Sequence, residues 1–342
     1  YIIFAEPEPW RWGKQTIWDV DDEQLNDNGN FDIEVVYGDD HGDSFGSAVD
    51  AKHDANGDSV PDVLIGAPNY DSVKGSVLLI FDPHQINGYE AHQVADSLDQ
   101  GLYLTGEDDD LLGYDVAFVD VNNDAAADLA LGAPGASGDK GKVYLLENSE
   151  FQGNLGSHAL SSYVSVELSG EDAGARAGAT VEEAGDVFGD GYGDLLIGAP
   201  WADLASTDDV GVAYLLAANE IVGSTYDLGT RLVTEIVFEG ETPNSLTGSS
   251  LATGDFDGDS HLDVAIGAPG NNLVYVVYGP FVSSAVRELA DADARVEGEV
   301  SESLGHALLG VDMNNDGVDD LLVGAPGYNG GQGRFFTLLG GL

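Results

Sequence analysis

The chain has 342 residues, no cysteine, and 62 acidic residues against 11 basic ones, for a formal net charge of −51. The length is enough to bury a core without crosslinks, and the absence of cysteine excludes disulfides, thiolate metal centres and thiol nucleophiles. A surface this acidic repels nucleic acid and anionic membrane, and no apolar run approaches the ~20 residues that span a bilayer.

Acidity on this scale often accompanies disorder, but here 43% of the residues are hydrophobic and fall in short regular runs, which predicts a folded chain. It opens on Tyr1 with no signal-peptide pattern, so the sequence reads as a processed or excised piece with any anchor removed. Residues 1–20 (YIIFAEPEPWRWGKQTIWDV) faintly resemble a B strand, its AEP turn and a C strand of a repeat unit. Residues 1–30 are therefore expected to be an N-terminal extension or a partial unit preceding the main fold.

From residue 31 the chain repeats itself. DVLIGAP (62–68), DLALGAP (128–134), DLLIGAP (194–200), DVAIGAP (263–269) and DLLVGAP (320–326) place Gly66, Gly132, Gly198, Gly267 and Gly324 at intervals of 66, 66, 69 and 57 residues. In the first unit, residues 44–50 predict strand A, 62–66 strand B, 75–81 strand C and 101–105 strand D. These runs are β-branched and aliphatic, bounded by Gly, Pro, Asn and Asp. Four-stranded units repeated in this way predict an all-β propeller of five clear blades, with a sixth partial blade if residues 1–20 form one. The last unit holds strands A, B and C and then stops. Residues 31–38 (FDIEVVYG) precede the first unit as strand D segments precede the others. They are expected to close the ring by pairing with strand C near residues 333–339.

Strand A opens with Phe45-Gly46, Leu112-Gly113, Ala177-Gly178, Thr247-Gly248 and Leu304-Gly305. With the GAP words and an acidic loop between them, these units over residues 31–342 resemble the FG-GAP repeat of integrin α chains. Only the first has a literal FG, and integrin heads have seven blades rather than five. The resemblance implies an extracellular recognition or adhesion protein that binds a protein or glycan partner, with calcium as a structural element.

The acidic loops lie between strands A and B: DANGDSVPD (54–62), DVNNDAAAD (120–128), DVFGDGYGD (186–194), DFDGDSHLD (255–263) and DMNNDGVDD (312–320). Oxygen-bearing side chains recur at positions 1, 3, 5 and 9, and position 7 varies freely, as a backbone carbonyl ligand allows. The predicted ligands are Asp54, Asn56, Asp58, Val60 and Asp62 in the first loop. They are Asp120, Asn122, Asp124, Ala126 and Asp128 in the second, and Asp186, Asp190, Tyr192 and Asp194 in the third, where Phe188 leaves position 3 empty. The fourth offers Asp255, Asp257, Asp259, His261 and Asp263, and the fifth Asp312, Asn314, Asp316, Val318 and Asp320. Alternating oxygens in a tight loop suit calcium, which takes six to eight at ~2.3–2.6 Å; magnesium is stricter, and a transition metal calls for histidine or cysteine. An EF-hand needs a bidentate glutamate at position 12, where this chain has Ile65, Leu131, Ile197, Ile266 and Val323.

The loops use sixteen aspartates, and five calcium ions would still leave a net charge of −41. The remaining acidity, with few lysines, predicts a halophile's surface, where salt screens self-repulsion. No GxSxG, HExxH or phosphate-binding glycine loop occurs, so an enzyme is not expected; a polysaccharide-active enzyme and a subunit of a surface assembly (filament, cell-wall layer or virion) are the alternatives. With the A–B face holding calcium, partners are expected on the opposite face, whose B–C loops carry Tyr70, Trp201 and Tyr328.

Overall fold

The structure is a computed structural model, and it describes residues 2–4, 32–81, 83, 86, 88–98, 100–204, 209–221, 225–228, 235–282 and 285–341. Each GAP word ends its strand in the same way. In the first four the aliphatic run is buried on both faces of the sheet and the glycine admits the backbone of the next blade, and in all five the proline, which has no N–H, stops the ladder.

Strands β1 (Ile2–Phe4) and β2 (Asp32–Glu34) form an antiparallel pair, followed by β3 (Val36–Tyr37). The first blade comprises β4 (Ala48–Asp50), β5 (Val63–Ala67) and β6 (Ser76–Ile80), a short β7 (Tyr89–Glu90) in the connection, and β8 (Gly101–Thr105). The second repeats this with β9 (Val116–Val119), β10 (Asp128–Ala133), β11 (Lys142–Leu146), a connecting β12 (Gly156–Ala159) and β13 (Val166–Ser169). The third has β14 (Thr180–Gly185), β15 (Asp194–Ala199), β16 (Val212–Leu216), connecting β17 (Tyr226–Asp227) and β18 (Glu235–Glu239). The fourth has β19 (Ser250–Gly254), β20 (Asp263–Ala268), β21 (Leu273–Val277), connecting β22 (Ala285–Glu288) and β23 (Ala294–Glu297). The fifth has β24 (Ala307–Val311), β25 (Asp320–Ala325) and β26 (Arg334–Leu338), with no fourth strand among the described residues. The chain is thus an all-β propeller of four-stranded blades, the architecture expected from the repeats.

The connecting strands add a feature that hydropathy does not reveal. Each joins, in parallel, the strand D of the preceding blade: β12 lies beside β8, β17 beside β13 and β22 beside β18. By the same rule β7 joins β3. So β3 stands as the strand D of a blade before the first, and β1, antiparallel to β2, takes the strand C place. This corrects two expectations. Ile2–Phe4 pairs with β2 rather than lying as a strand B, and the described part of residues 31–38 pairs with β1, through β2, and with β7, through β3, rather than with β26. The AEP turn and the second strand expected within residues 5–20 lie outside the described residues.

The core lies between blades rather than at the axis. Leu64, Leu79, Phe118 and Leu129 fill the first joint; Leu145, Leu168, Ile197 and Tyr214 the second; Leu196, Phe238, Ile266 and Tyr275 the third; Ala265, Val274, Leu321 and Val323 the fourth. Truncating one such leucine to alanine costs about 2–5 kcal/mol. Where two blades meet at the strand start, glycine meets glycine. A β-carbon on Gly66 would stand 2.0 Å from the Gly113 carbonyl oxygen; on Gly132, 2.1 Å from that of Gly178; on Gly198, 2.1 Å from that of Gly248; on Gly267, 2.2 Å from that of Gly305. The repeated glycines of both halves of the motif therefore form one contact, made four times.

Polar residues just beyond β4 meet those of β14. Lys52 pairs with Glu182 at 3.4 Å, and His53 faces Glu183 at 3.5 Å. Burial raises the carboxyl groups of Glu182 and Glu183 above their usual range, opposed by the nearby Lys52 ammonium.

Candidate metal centres

All five acidic loops follow strand A and share one backbone pattern. The aspartate at position 1 accepts hydrogen bonds from the backbone N–H groups ahead of it. Asp54 Oδ1 receives Gly57 N at 2.6 Å and its Oδ2 Ser59 N at 2.6 Å; Asp186 receives Asp190 N at 2.8 Å and Gly191 N at 3.0 Å; Asp312 receives Asp316 N at 3.1 Å and Gly317 N at 2.9 Å. Asp120 and Asp255 are held in the same way. At position 3, Asn56, Asn122, Asp257 and Asn314 each accept the N–H of position 5 at 2.8–3.0 Å. At position 5, Asp58, Asp124, Asp190, Asp259 and Asp316 each accept the N–H of position 7 at 2.7–3.0 Å. These contacts turn the chain so tightly that positions 4 and 6 are left-handed in every loop: Gly57, Asn123, Gly189, Gly258 and Asn315 at the former, Ser59, Ala125, Gly191, Ser260 and Gly317 at the latter.

Ala125 is the misfit, holding φ of 67° without a glycine's freedom or a short polar side chain. A left-handed L-residue costs about 1–2 kcal/mol. Ala125→Gly is accordingly expected to raise stability by about 0.5–1 kcal/mol after the unfolded-state entropy of glycine is counted. An unchanged or lowered denaturation midpoint would remove this account of the loop backbone.

The ninth residue has a different environment. Asp62, Asp128, Asp194, Asp263 and Asp320 are fully buried. One oxygen of each accepts the backbone N–H of position 2, from Ala55 (2.6 Å), Val121 (3.1 Å), Val187 (2.8 Å), Phe256 (2.9 Å) and Met313 (3.1 Å) respectively. The other oxygen accepts an N–H from beyond strand C in four blades: Asn148, Ala218, Gly279 and Gly340. In the first blade Asp62 Oδ1 has no hydrogen-bond partner among the described residues. Burial pushes Asp62, Asp128 and Asp194 up to about 7 and Asp263 up to about 6, against the lowering effect of those N–H groups. The ninth aspartate thus fastens its loop to the blade, a role the sequence spacing did not reveal. A buried carboxylate held so high has a standing electrostatic reason to meet a cation.

The five loops differ as their sequences suggest. In the fourth, Asp255, Asp257 and Asp263 offer carboxylate oxygens all within 4.8 Å of one another. In the third, Phe188 turns its ring towards the core between the third and fourth blades, so the position that lacks a ligand serves packing instead. His261, expected to contribute only its carbonyl, also sets its ring Nδ1 3.0 Å from Asp259 Oδ1. The loops are linked to one another: Gly193 N donates to Asp120 O at 3.0 Å and Asp319 N to Asp255 O at 3.0 Å. The signal was available at position 8, which is small in the third loop and acidic in the fifth.

The three aromatic residues of the B–C loops are each half-buried. Tyr70 packs edge-on to Tyr103, 5.7 Å between centroids, at the margin of the first blade's core. The Arg176 guanidinium lies 5.2 Å over the Trp201 ring and that of Arg334 4.2 Å over Tyr328. Each cation is bound in turn to a carboxylate, Arg176 to Asp139 and Arg334 to Glu302.

A family model described as FG-GAP repeat matches residues 112–146, 247–279 and 304–338. Phosphatidylinositol-glycan-specific phospholipase D of Rattus norvegicus is 33% identical over 160 residues, 44% of this chain and 19% of that protein. Integrin alpha-PS2 of Drosophila melanogaster is 31% identical over 233 residues, 64% of this chain and 15% of the integrin. Integrin alpha-6 of Gallus gallus is 30% identical over 179 residues, half of this chain and 15% of the integrin. The chain spans less than a fifth of the length of these relatives. Motif spacing, blade architecture and these matches agree: the chain is built of FG-GAP repeats and has an integrin-like head fold.

Proposed function

We propose that the chain is a calcium-stabilised recognition and adhesion module of an extracellular surface, adapted to high salt, which binds a protein or glycan partner. Residues 31–342 would form the propeller and residues 1–30 the start of a partial blade. The observation that carries this reading is the five-fold recurrence of one hydrogen-bonded loop whose side-chain donors, at the expected ligand positions, are all carboxylate or amide oxygens. Calcium would be held by positions 1, 3, 5 and 9 and by the carbonyls of Val60, Ala126, Tyr192, His261 and Val318. It would supply charge neutralisation and rigidity, not catalysis. The linked loops make the A–B side stiff, which leaves the opposite side for a partner.

The relatives named as phospholipases share less than a fifth of their length with this chain, so their activity is not carried over, and we read the chain as a non-enzymatic module. Trp201 is the favoured contact on the partner side, because a large half-exposed ring supplies contact area at low entropic cost. Trp201→Ala is expected to weaken capture of native surface protein or glycan at least tenfold in high salt, with calcium uptake unchanged. A lowered melting temperature with intact capture would assign the ring to the Arg176 stack instead and move the recognition face elsewhere. A surface-assembly subunit is the second reading, favoured by the exposed apolar side chains of Phe335 and Leu309 on the fifth blade.

A further inference from the structure

Resting on the assignment of calcium to the acidic loops, we propose that the fourth and fifth loops act as a coupled pair. Asp319 of the fifth loop positions Asp255, the first ligand of the fourth, so calcium in either loop raises the affinity of the other. Asp319 clamps the Asp255 backbone at two points: its N–H donates to Asp255 O at 3.0 Å, and its Oδ2 accepts the Asp255 N–H at 2.9 Å. The Asp255 carboxylate so placed accepts Gly258 N at 2.8 Å and Ser260 N at 2.9 Å, and it shares with Asp257 and Asp263 a set of oxygens all within 4.8 Å of one another. On its other side Asp319 adjoins Asp320, the buried ninth aspartate of the fifth loop, which accepts Met313 N at 3.1 Å and Gly340 N at 3.0 Å. A second tie runs beside the first. Gly341 N donates to Phe256 O at 3.0 Å, and Phe256 N donates to Asp263 Oδ2 at 2.9 Å. The backbone around the ninth ligand of one loop therefore also holds the first and second residues of the other.

The eighth loop position decides where such a clamp exists. Gly193 of the third loop makes only its backbone half, donating to Asp120 O at 3.0 Å; a β-carbon there would stand 3.5 Å from Asp120 N, on the side that the Asp319 carboxylate takes in the fifth loop. Leu262 of the fourth loop turns instead into the core between the third and fourth blades. Pro280, at the place of Gly341, has no N–H to give. Among the described residues no hydrogen bond joins the third loop to the fourth. Ordering a loop around an ion costs conformational entropy. A loop already held by its filled neighbour has less to lose, which makes the two binding events positively cooperative, and linkage makes the effect mutual. Asp319 also adds a fifth carboxylate beside the four aspartates of the fourth loop, and its charge favours a cation there.

The fourth loop carries its own reporter. His261 sets its ring Nδ1 3.0 Å from Asp259 Oδ1, so its ring proton resonances, assigned with His261→Gln, follow calcium into that loop. The test is a calcium titration of the full chain in molar potassium chloride, read at those resonances. Asp316→Ala, which disables the fifth loop, is expected to raise the calcium midpoint about tenfold although no residue of the fourth loop has changed. Asp319→Ala should raise it by a similar factor, and adding Asp316→Ala to it should do less than Asp316→Ala does alone. Asp319→Asn, which keeps an oxygen for the Asp255 N–H, should recover most of the shift. Leu168→Ala, which thins the core between the second and third blades, controls for lost stability and should leave the midpoint unmoved. A wild-type signal that never responds to calcium overturns the calcium reading of the loop and the proposal with it. A signal that responds with the same midpoint in Asp316→Ala overturns the coupling alone. An equal shift in Leu168→Ala assigns the effect to lost stability and overturns it too.

Discussion

Gly198→Ala is expected to destabilise the protein by about 3 kcal/mol or more, whereas Gly324→Ala should change stability by about 0.5 kcal/mol at most. The two glycines occupy the same place in the same motif, so propensity and backbone entropy contribute equally, about 0.4–1 kcal/mol in alanine's favour. The difference lies in the neighbours. At Gly198 the new methyl would stand 2.1 Å from the Gly248 carbonyl oxygen and 2.1 Å from Thr180 Oγ1. Neither is the free end of a flexible chain: Thr180 Oγ1 itself donates to Gly248 O at 2.7 Å. The third and fourth blades would have to separate along a joint that also holds Leu196, Phe238 and Ile266. Overpacking of this kind costs about 1–3 kcal/mol in ordinary cores and more where backbone must move. Denaturant unfolding of both variants in high salt reads the difference directly. Equal effects at the two positions would show that the joint does not set stability.

The second large effect concerns calcium and salt together. If each loop binds calcium at ten to a hundred times its dissociation constant, each contributes about 1.4–2.7 kcal/mol to the folded state. Across five loops the sum rivals the whole stability of a typical domain, about 5–15 kcal/mol. Chelation in dilute buffer is therefore expected to unfold the chain, and restoring calcium below about 0.5 M salt should recover only part of the melting temperature, because a charge of about −41 would remain poorly screened. Isothermal calorimetry at high salt should count five ions, with the 186–194 loop weakest. Fewer than three ions, or an unchanged melt after chelation, would sink the cage assignment.

The pH dependence has a definite sign. Asp62, Asp128, Asp194 and Asp263 have folded-state values raised to about 6–7 without metal. A raised carboxyl contributes stability that is fully present below its unfolded value, about 3.9, and is lost as pH rises through the folded value. Calcium takes the ionised form, so its stabilising increment should grow over the same interval, from small near pH 5 to full above pH 7.5.

Much of this was legible in the residues. The GAP words gave blade number and strand B because an aliphatic run closed by Gly-Ala-Pro has only one way to end a buried strand. The loop spacing gave the positions of the oxygen donors, and Phe188 marked the defective loop. The roles of the loop residues were only half legible. The spacing groups position 9 with positions 1, 3 and 5, yet one of its oxygens binds the N–H of position 2 and, in four blades, the other binds a backbone N–H from beyond strand C, some twenty residues on.

What the sequence determined by itself is therefore local and repetitive: the strands, the turns, the loops and the glycines, each set by neighbours a few residues away and confirmed by recurrence. What only the tertiary structure decided is how blades meet. Residues 31–38 have the pattern of a strand D, and pattern alone assigned them to the last blade, the nearest blade lacking one. Their actual partners, β1 and β7, were chosen by which backbone edges were free, and an edge is a property of the assembled sheet. In the same way, Gly46 and Gly324 read like every other glycine of their motif. That these two, among the described residues, meet no backbone of another blade is a property of the assembled blades, which no stretch of local sequence records.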